Sequence, residues 1–483
     1  MSIEIEKKAY VVYVLVLVLL VGLFDSCDKQ QTEHPDETLA KQYCSSCHLY
    51  TSPELLDKSS WLKVLPVMKN MIVDSGVSLT KDDWNRVYSY YYNSAPLFLS
   101  TVNYDTSSVF TSKFHISDKE VELDVEPNII LAQCADSSRY FIGDDRGTIS
   151  LLSDDHQKTI AKDLGLPIEM SEVDEGIYDV LSMGTMGPDH RSLGVLYRID
   201  KEGIKVLIDS LHRPIDMSSG DIDGDGMDEY VISSFGAITS DQTTGDLSLF
   251  RLEGTTWMRY VISAQSGASK SQLIDLNEDG RLDIVALFAQ GDEKISVFYN
   301  QGGLEFNEEV LIRSHPLYGT LDFRLVNIDG DDTPELIVAN GDNADYSVVF
   351  KPYHGLRIYD AQRDGDYALA KFYHINGASE LSFEDYDDDG DVDIGVFALY
   401  PNVATRPWEV FQIFENQQDL TFRRTAFKEI HGNHWVRCAI CKDDLTGQTS
   451  VLLTANKFIN KVLPFRQPTR GVQMYTLSGA HEN

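Results

Sequence analysis

Apolar positions follow three successive patterns along this chain, and each change of pattern marks a boundary. From Ala9 to Phe24 nearly every residue is apolar, with Lys7 and Lys8 just before. That run is shorter than the ~20 residues a spanning helix needs, and basic residues before a short apolar core are the form of an export signal. From Glu37 to Ala95 the spacing is helical. Glu37 to Tyr43 holds good helix formers; Trp61, Val64, Leu65 and Met68 share one face of a second helix. Thr80-Lys81-Asp82-Asp83 forms a capping sequence for a third, which carries Trp84, Val87, Tyr88, Tyr91 and Tyr92 and stops at Ser94-Ala95-Pro96. Beyond residue 125 helical periodicity gives way to short strand-like runs between Gly, Asp and Asn clusters. The pattern predicts a multidomain chain: a signal at 1–27, a polar tether at 28–36, a small all-α unit at 37–100, a linker at 101–124 and an all-β domain at 125–483.

The helical unit contains Cys44-Ser45-Ser46-Cys47-His48. Two thiols separated by two residues and followed by histidine suit covalent attachment of one haem, with the thiols on one edge of the macrocycle and His48 beneath the iron. A zinc site would need a second ligand pair nearby and a thioredoxin site a βαβ context; the sequence shows neither. Met68 is the candidate for the sixth iron ligand, with Met71 in reserve. The alternative role for Met68 is apolar filling. A cofactor would also supply the core that so short a unit lacks.

In the β region one loop recurs four times: Asp221-Ile222-Asp223-Gly224-Asp225-Gly226-Met227-Asp228-Glu229, Asp275 to Asp283, Asn327 to Glu335, and Asp385 to Asp393. The copies start 54, 52 and 58 residues apart, the length of one four-stranded propeller blade. Oxygen-bearing residues stand at loop positions one, three, five and nine: Asp221, Asp223, Asp225 and Glu229; Asp275, Asn277, Asp279 and Asp283; Asn327, Asp329, Asp331 and Glu335; Asp385, Asp387, Asp389 and Asp393. Hard oxygen donors around a sharp turn select calcium, one ion per loop, four in all. The third copy departs most, since Asp332 replaces the position-six glycine and Pro334 stiffens its end. Metal-free acidic turns are the alternative. Weaker units at Tyr140–Gly147, Asp179–Gly184 and His434–Leu477 bring the blade count to seven.

These loops resemble the FG-GAP or VCBS repeats that build integrin-α-like β-propellers. Asn340-Gly341-Asp342-Asn343-Ala344-Asp345-Tyr346-Ser347, Lys351-Pro352-Tyr353-His354-Gly355 and the segment from Trp61 to Met68 look like stretches of bacterial VCBS-repeat proteins with a cytochrome c domain in front. The resemblance implies a cytochrome c-like unit followed by a propeller, and names no substrate.

Charge then narrows the partners. The formal charge of -35 repels phosphate backbones and excludes nucleic acid as a natural partner. Ser26-Cys27 resembles a lipoprotein cleavage site, with Cys27 as the acylated residue of a membrane-anchored, extracytoplasmic protein; an uncleaved signal anchor is the alternative. Cys134, Cys438 and Cys441 remain, too few for a disulfide scaffold. Cys438 and Cys441, three apart on a predicted strand, point to opposite faces and read as ordinary strand packing. The leading expectation is an electron-transfer protein whose propeller docks a redox partner or extracellular ligand. A propeller oxidoreductase feeding its own haem, with Asp342, Asn343, Asp345, Tyr346, Lys351, Tyr353 and His354 as its densest polar cluster, is a second. A calcium-stiffened adhesion scaffold with a haem sensor is a third.

Overall fold

The computed structural model describes residues 35–102, 109–110, 114–119 and 126–479, the last span without 127, 137–138, 154–155, 188, 239–241, 332, 344–346, 348, 363–364, 431–434, 444 and 458–470. The signal segment with Cys27, and Asp332, Asp345 and Tyr346, therefore lie outside the described residues. No helix among the described residues is long and apolar enough to cross a membrane.

Three helices come first: α1 (Pro35–Cys44), α2 (Lys58–Asp74) and α3 (Lys81–Ser94). Thr80 caps α3 by accepting from Asp83 N–H, as its sequence predicts. Asp57 caps α2 in the same way, through Ser59 and Ser60 N–H at 2.9 and 3.2 Å. Ala40, Tyr43, Trp61, Val64, Leu65, Trp84, Val87 and Tyr91 form a core, with Cys44 and Met68 packed against it. Trp61 lies 4.5 Å from the Tyr91 ring and donates to Pro53 O at 2.8 Å, so neither of its faces is wasted.

The rest is a seven-bladed β-propeller of seven four-stranded antiparallel sheets, the blade number the repeats predict. In blades one to six the strands run from inside to outside in chain order. Blade seven is mixed: its inner three strands are Arg437–Lys442, Thr449–Thr454 and Val472–Gly479, and its outer strand is Phe114–Lys119. The segment read from sequence as a linker at 101–124 thus contributes a strand to the propeller. Its pairing with Val472–Gly479 closes the ring and gives blade seven its fourth strand. The local signal is weak because an outer strand needs only one buried face.

The cysteine reading also needs correction. Cys441 forms a disulfide with Cys134, 307 residues away, while Cys438 stays unpaired. The bond ties the inner strand of blade one (Ile129–Asp136) to that of blade seven (Arg437–Lys442). The opposed faces of Cys438 and Cys441 are confirmed by this; what spacing hides is that ring closure brings the two ends of the propeller together.

A second interlock recurs at the centre. The third residue of four inner strands is acidic and follows a β-bulge: Glu169, Asp216, Asp322 and Glu380. Each carboxylate accepts from a backbone N–H of a following blade's inner strand, namely Met217 (2.9 Å), Ser271 (2.7 Å), Leu381 (2.8 Å) and Cys438 (3.0 Å). Lys270 and Arg437 neutralise Asp322 and Glu380 at 3.1 and 2.8 Å. A bulge frees an N–H, and the neighbouring acid satisfies it.

Replacing Cys134 by serine is expected to lower unfolding stability by about 2–5 kcal/mol. Urea denaturation of the full chain checks this, and an unshifted midpoint would show that strand closure alone holds the ring.

Candidate functional site: two opposite faces of the propeller

The four acidic loops connect the first and second strands of blades three to six, so they share one face of the ring. Their backbone geometry is common. Gly224, Glu278, Gly330 and Asp388, all at position four, have φ between 58° and 82°. Position six, where described, is also left-handed: Gly226, Gly280 and Gly390 have φ of 88°, 86° and 97°. The position-one side chain accepts from loop N–H groups, as Asp221 does from Gly224 and Gly226 at 2.8 and 3.0 Å. Asp385 repeats this with Asp389 and Gly390. Position nine is buried in every copy: Glu229, Asp283, Glu335 and Asp393 are at most 1% exposed. One of its oxygens accepts from the position-two N–H each time, at 2.8–3.1 Å.

Three loops bring three carboxylates within 4.8 Å of one another: Asp221, Asp223 and Asp225; Asp329, Asp331 and Glu335; Asp385, Asp387 and Asp393. In the copy at 275, Asn277 donates to Asp279 at 3.2 Å and Arg281 pairs with Asp279 at 2.5 Å. Arg251 reaches into the loop at 221, 2.6 Å from Asp223 and 3.1 Å from Asp225. Burial raises the carboxyl groups of Glu335 and Asp393 to about 7, and neighbouring loop acids add to it. Glu229 and Asp283 are raised by the same two causes. Glu335 Oε1 is buried with no hydrogen-bond partner. A buried, unsatisfied carboxylate oxygen beside two more carboxylates costs about 1–3 kcal/mol and is the environment a divalent cation relieves. The third loop, the most divergent in sequence, has the donor set that fits calcium best. At 275 and 385 the second oxygen of the position-nine acid accepts from Asn300 and Asn416 N–H at 2.8 and 2.7 Å. Those two asparagines donate across to Ile222 O and Ile328 O of the preceding blades at 2.8 and 2.7 Å, tying adjacent loops together.

The helical unit lies on the opposite face. It touches the connection entering blade five (314–319) and the one between that blade's second and third strands (341–354). Tyr353 Oη donates to Leu55 O at 2.8 Å, Ser60 Oγ to Ser347 Oγ at 3.1 Å, and Leu317 packs against the helical core. The described members of the polar cluster predicted from sequence, Asp342, Asn343, Lys351, Tyr353 and His354, meet here; Asp345 and Tyr346 lie outside the described residues. Lys351 hydrogen-bonds Asn343 and Ser347 O, and the buried His354, with its protonation pushed well below the usual range by burial, faces Leu317 O at 3.4 Å. Asp342 N–H bonds Gly319 O at 3.0 Å. Arg357 is held between Tyr318 and Phe372, 4.4 and 4.6 Å from their centroids, and donates to Asn340 and Tyr353 O. These groups spend their hydrogen bonds stiffening a docking platform. Sequence reasoning missed Tyr318 and Arg357, whose roles appear only once the loops meet.

At the Cys44-to-His48 turn, Cys44 ends α1 half-buried against Tyr91, and burial pushes its thiol up to about 11. Cys47 is exposed, and neither thiol is in a disulfide. His48 Nδ1 lies 2.7 Å from Leu49 O, which only the Nδ1–H tautomer can satisfy. In the neutral ring that leaves the lone pair on Nε2, the nitrogen a metal would take. Met68 sits in the helical core with Cys44, whereas Met71 is 37% exposed. The donor set and the tautomer both fit a covalently held haem.

Fold and loops together define the class: a seven-bladed propeller with an FG-GAP-like repeat, preceded by a small helical unit. Residues 275–338 match the FG-GAP-like repeat model. Among solved structures, the N-terminal domain of Nup159 is similar over 78% of this chain and 98% of that one, at 10% identity and a TM-score of 0.44. The WD40 propeller domain of Doa1 gives 10% identity, 75% and 96% coverage and a TM-score of 0.44. The computationally designed protein Ika8 gives 12%, 73%, 98% and 0.40. No curated protein matches.

If the loops hold calcium, chelation is expected to lower the melting temperature, because an ion bound only by the folded state adds about 2.7 kcal/mol at a hundredfold excess over its dissociation constant. Glu335→Gln should shrink that shift. Calorimetry with and without chelator is the measurement, and coincident melts would point to metal-free turns.

Proposed function

We propose that this is an exported, membrane-tethered c-type haem protein for electron transfer, with a calcium-clasped propeller as the platform that binds a partner or ligand. The observation that carries the reading is the Cys44-to-His48 turn, with two unpaired thiols and an Nδ1–H histidine, in a helical unit docked on the propeller by Tyr353, Ser347 and Leu317. The Cys134–Cys441 disulfide supports export, since such bonds persist in oxidising compartments. Of the three unpaired cysteines among the described residues, Cys438 is partly buried within the propeller, whereas Cys44 and Cys47 stand together before His48 in the spacing that covalent haem attachment uses. The Ser26-Cys27 site would supply the lipid anchor.

Cys44 and Cys47 would hold the haem by thioethers, and His48 would ligate through Nε2. When bound, that group supplies one-electron chemistry. The chain's own residues do the rest: Leu49 O fixes the His48 ring, Tyr91 and Trp61 exclude water from the Cys44 side, and the propeller holds the unit in one orientation. Met68 is one further donor that could hold the group, and the propeller offers another. Asp329, Asp331 and Glu335, with their counterparts in the other loops, would hold calcium on the far face. Stiffening the loops there keeps adjacent blades in register, so the docking face does not shear. The oxidoreductase alternative places a substrate beside Lys351 and His354, but both are buried and hydrogen-bonded within the propeller.

Expressed in a host competent in haem maturation, the full chain is expected to be coloured, to keep its haem on denaturation and to resist alkylation at Cys44 and Cys47. The double variant Cys44→Ala/Cys47→Ala should be colourless with an intact fold by circular dichroism. A colourless wild type with both thiols alkylated would end the haem reading.

A further inference from the structure

We propose that the haem site is shared between the two parts of the chain, with propeller residue His315, in place of Met68, as the second side chain beside His48 that would ligate the iron. The inference rests on the haem attachment proposed above. His315 stands in the turn Ser314-His315-Pro316-Leu317-Tyr318 that leads into the inner strand of blade five, closed by Tyr318 N–H to His315 O at 2.8 Å. Two residues on, Leu317 is packed against the helical core that also holds Cys44 and Met68, so the turn delivers the imidazole to the junction. His48 lies within electrostatic reach of it.

His315 Nδ1 is shut off from solvent and has no hydrogen-bond partner. Buried imidazole nitrogens are ordinarily satisfied, so an unsatisfied one at the junction with the helical unit is a donor that a metal held there would satisfy.

The ring is also braced as a ligand must be. It packs edge-on to Tyr318, with centroids 5.5 Å apart; Tyr318 stacks on Tyr353 at 5.2 Å, and the Arg357 guanidinium lies 4.4 Å over Tyr318. Tyr353 in turn is bonded to Leu55 of the helical unit. The wall that holds His315 is therefore the wall that docks the haem-bearing unit. Met68 is partly buried against the helical unit's own apolar core, the ordinary place of a methionine on an apolar stripe.

Two imidazoles hold the iron at a lower reduction potential than imidazole with thioether. The test uses the full chain from a maturation-competent host, with haem attachment first established by mass spectrometry of the Cys44–Cys47 peptide. Wild type should be low-spin without the methionine-to-ferric-iron charge-transfer band, and Met68→Leu should leave that spectrum unchanged. His315→Ala should turn high-spin and bind carbon monoxide without denaturation. His315→Met, which restores a ligand, should return the low-spin state with the methionine band and a raised potential. A methionine band in wild type that Met68→Leu abolishes, or a low-spin spectrum untouched in His315→Ala, overturns His315 ligation while haem attachment stands. An unmodified peptide overturns the attachment itself.

Discussion

A ring of sheets exists only if its last blade is completed from the other end of the chain. Here Phe114–Lys119 lies against Val472–Gly479 in antiparallel register, and without it blade seven would have three strands where the other six blades have four. The Cys134–Cys441 bond closes the same seam at the inner strands. Because the closing strand precedes blade one, whatever lies before it enters the structure at the seam. The helices at 35–94 are thus tied to the rim by the strand that shuts the ring, and the blade-five loops settle where they rest.

Within the ring, buried carboxylates act as brackets. Each position-nine acid of the repeat loops receives its own position-two N–H, and the acids at the central bulges receive an N–H from another blade. Carboxylates suit this role because they accept several charge-assisted bonds at once, but burial raises their protonation range unless a cation compensates. At the centre, Lys270 and Arg437 provide that charge to Asp322 and Glu380, while burial keeps Glu169 and Asp216 raised. At the loops the chain provides it unevenly: Arg251 at 221 and Arg281 at 275 pair with loop acids, while Glu335 keeps a buried oxygen without a partner. On the proposed reading, a cation at the loop at 327 would relieve that buried oxygen.

Local pattern carried most of the architecture. The three helices follow from apolar spacing and the Thr80 cap; the loop repeat carries the blade length and four of the blades, and the weaker units at Tyr140–Gly147, Asp179–Gly184 and His434–Leu477 bring the count to seven. What local pattern missed depends on long-range closure. Phe114–Lys119 is an outer strand with a single packed face, and Cys134 and Cys441 meet only because blades one and seven are neighbours. The central acids were readable in principle as the third residue of successive inner strands, a signal visible once the strands are aligned. His315 and Tyr318 left no trace in spacing, since their meaning comes from the helical unit lying over them. Asp332, which suggested a weakened third loop, lies outside the described residues; Asp329, Asp331 and Glu335 are nonetheless brought together there.

The placement of the two thiols bears on how a partner would approach. Cys47 is exposed while Cys44 is half-buried against Tyr91, so a group held by both spans the surface of the helical unit, with one edge at solvent. His48 and the docking wall of Tyr318, Tyr353 and Arg357 lie toward the propeller. On the proposed reading, electrons enter or leave at the Cys47 edge while the ligand set is held by the platform, which separates exchange from tuning. The propeller can then bind a partner on its rim without disturbing the iron. With a formal charge of -35, encounter favours a cationic partner surface, and its rate should fall as salt screens that attraction over a Debye length of about 8–10 Å.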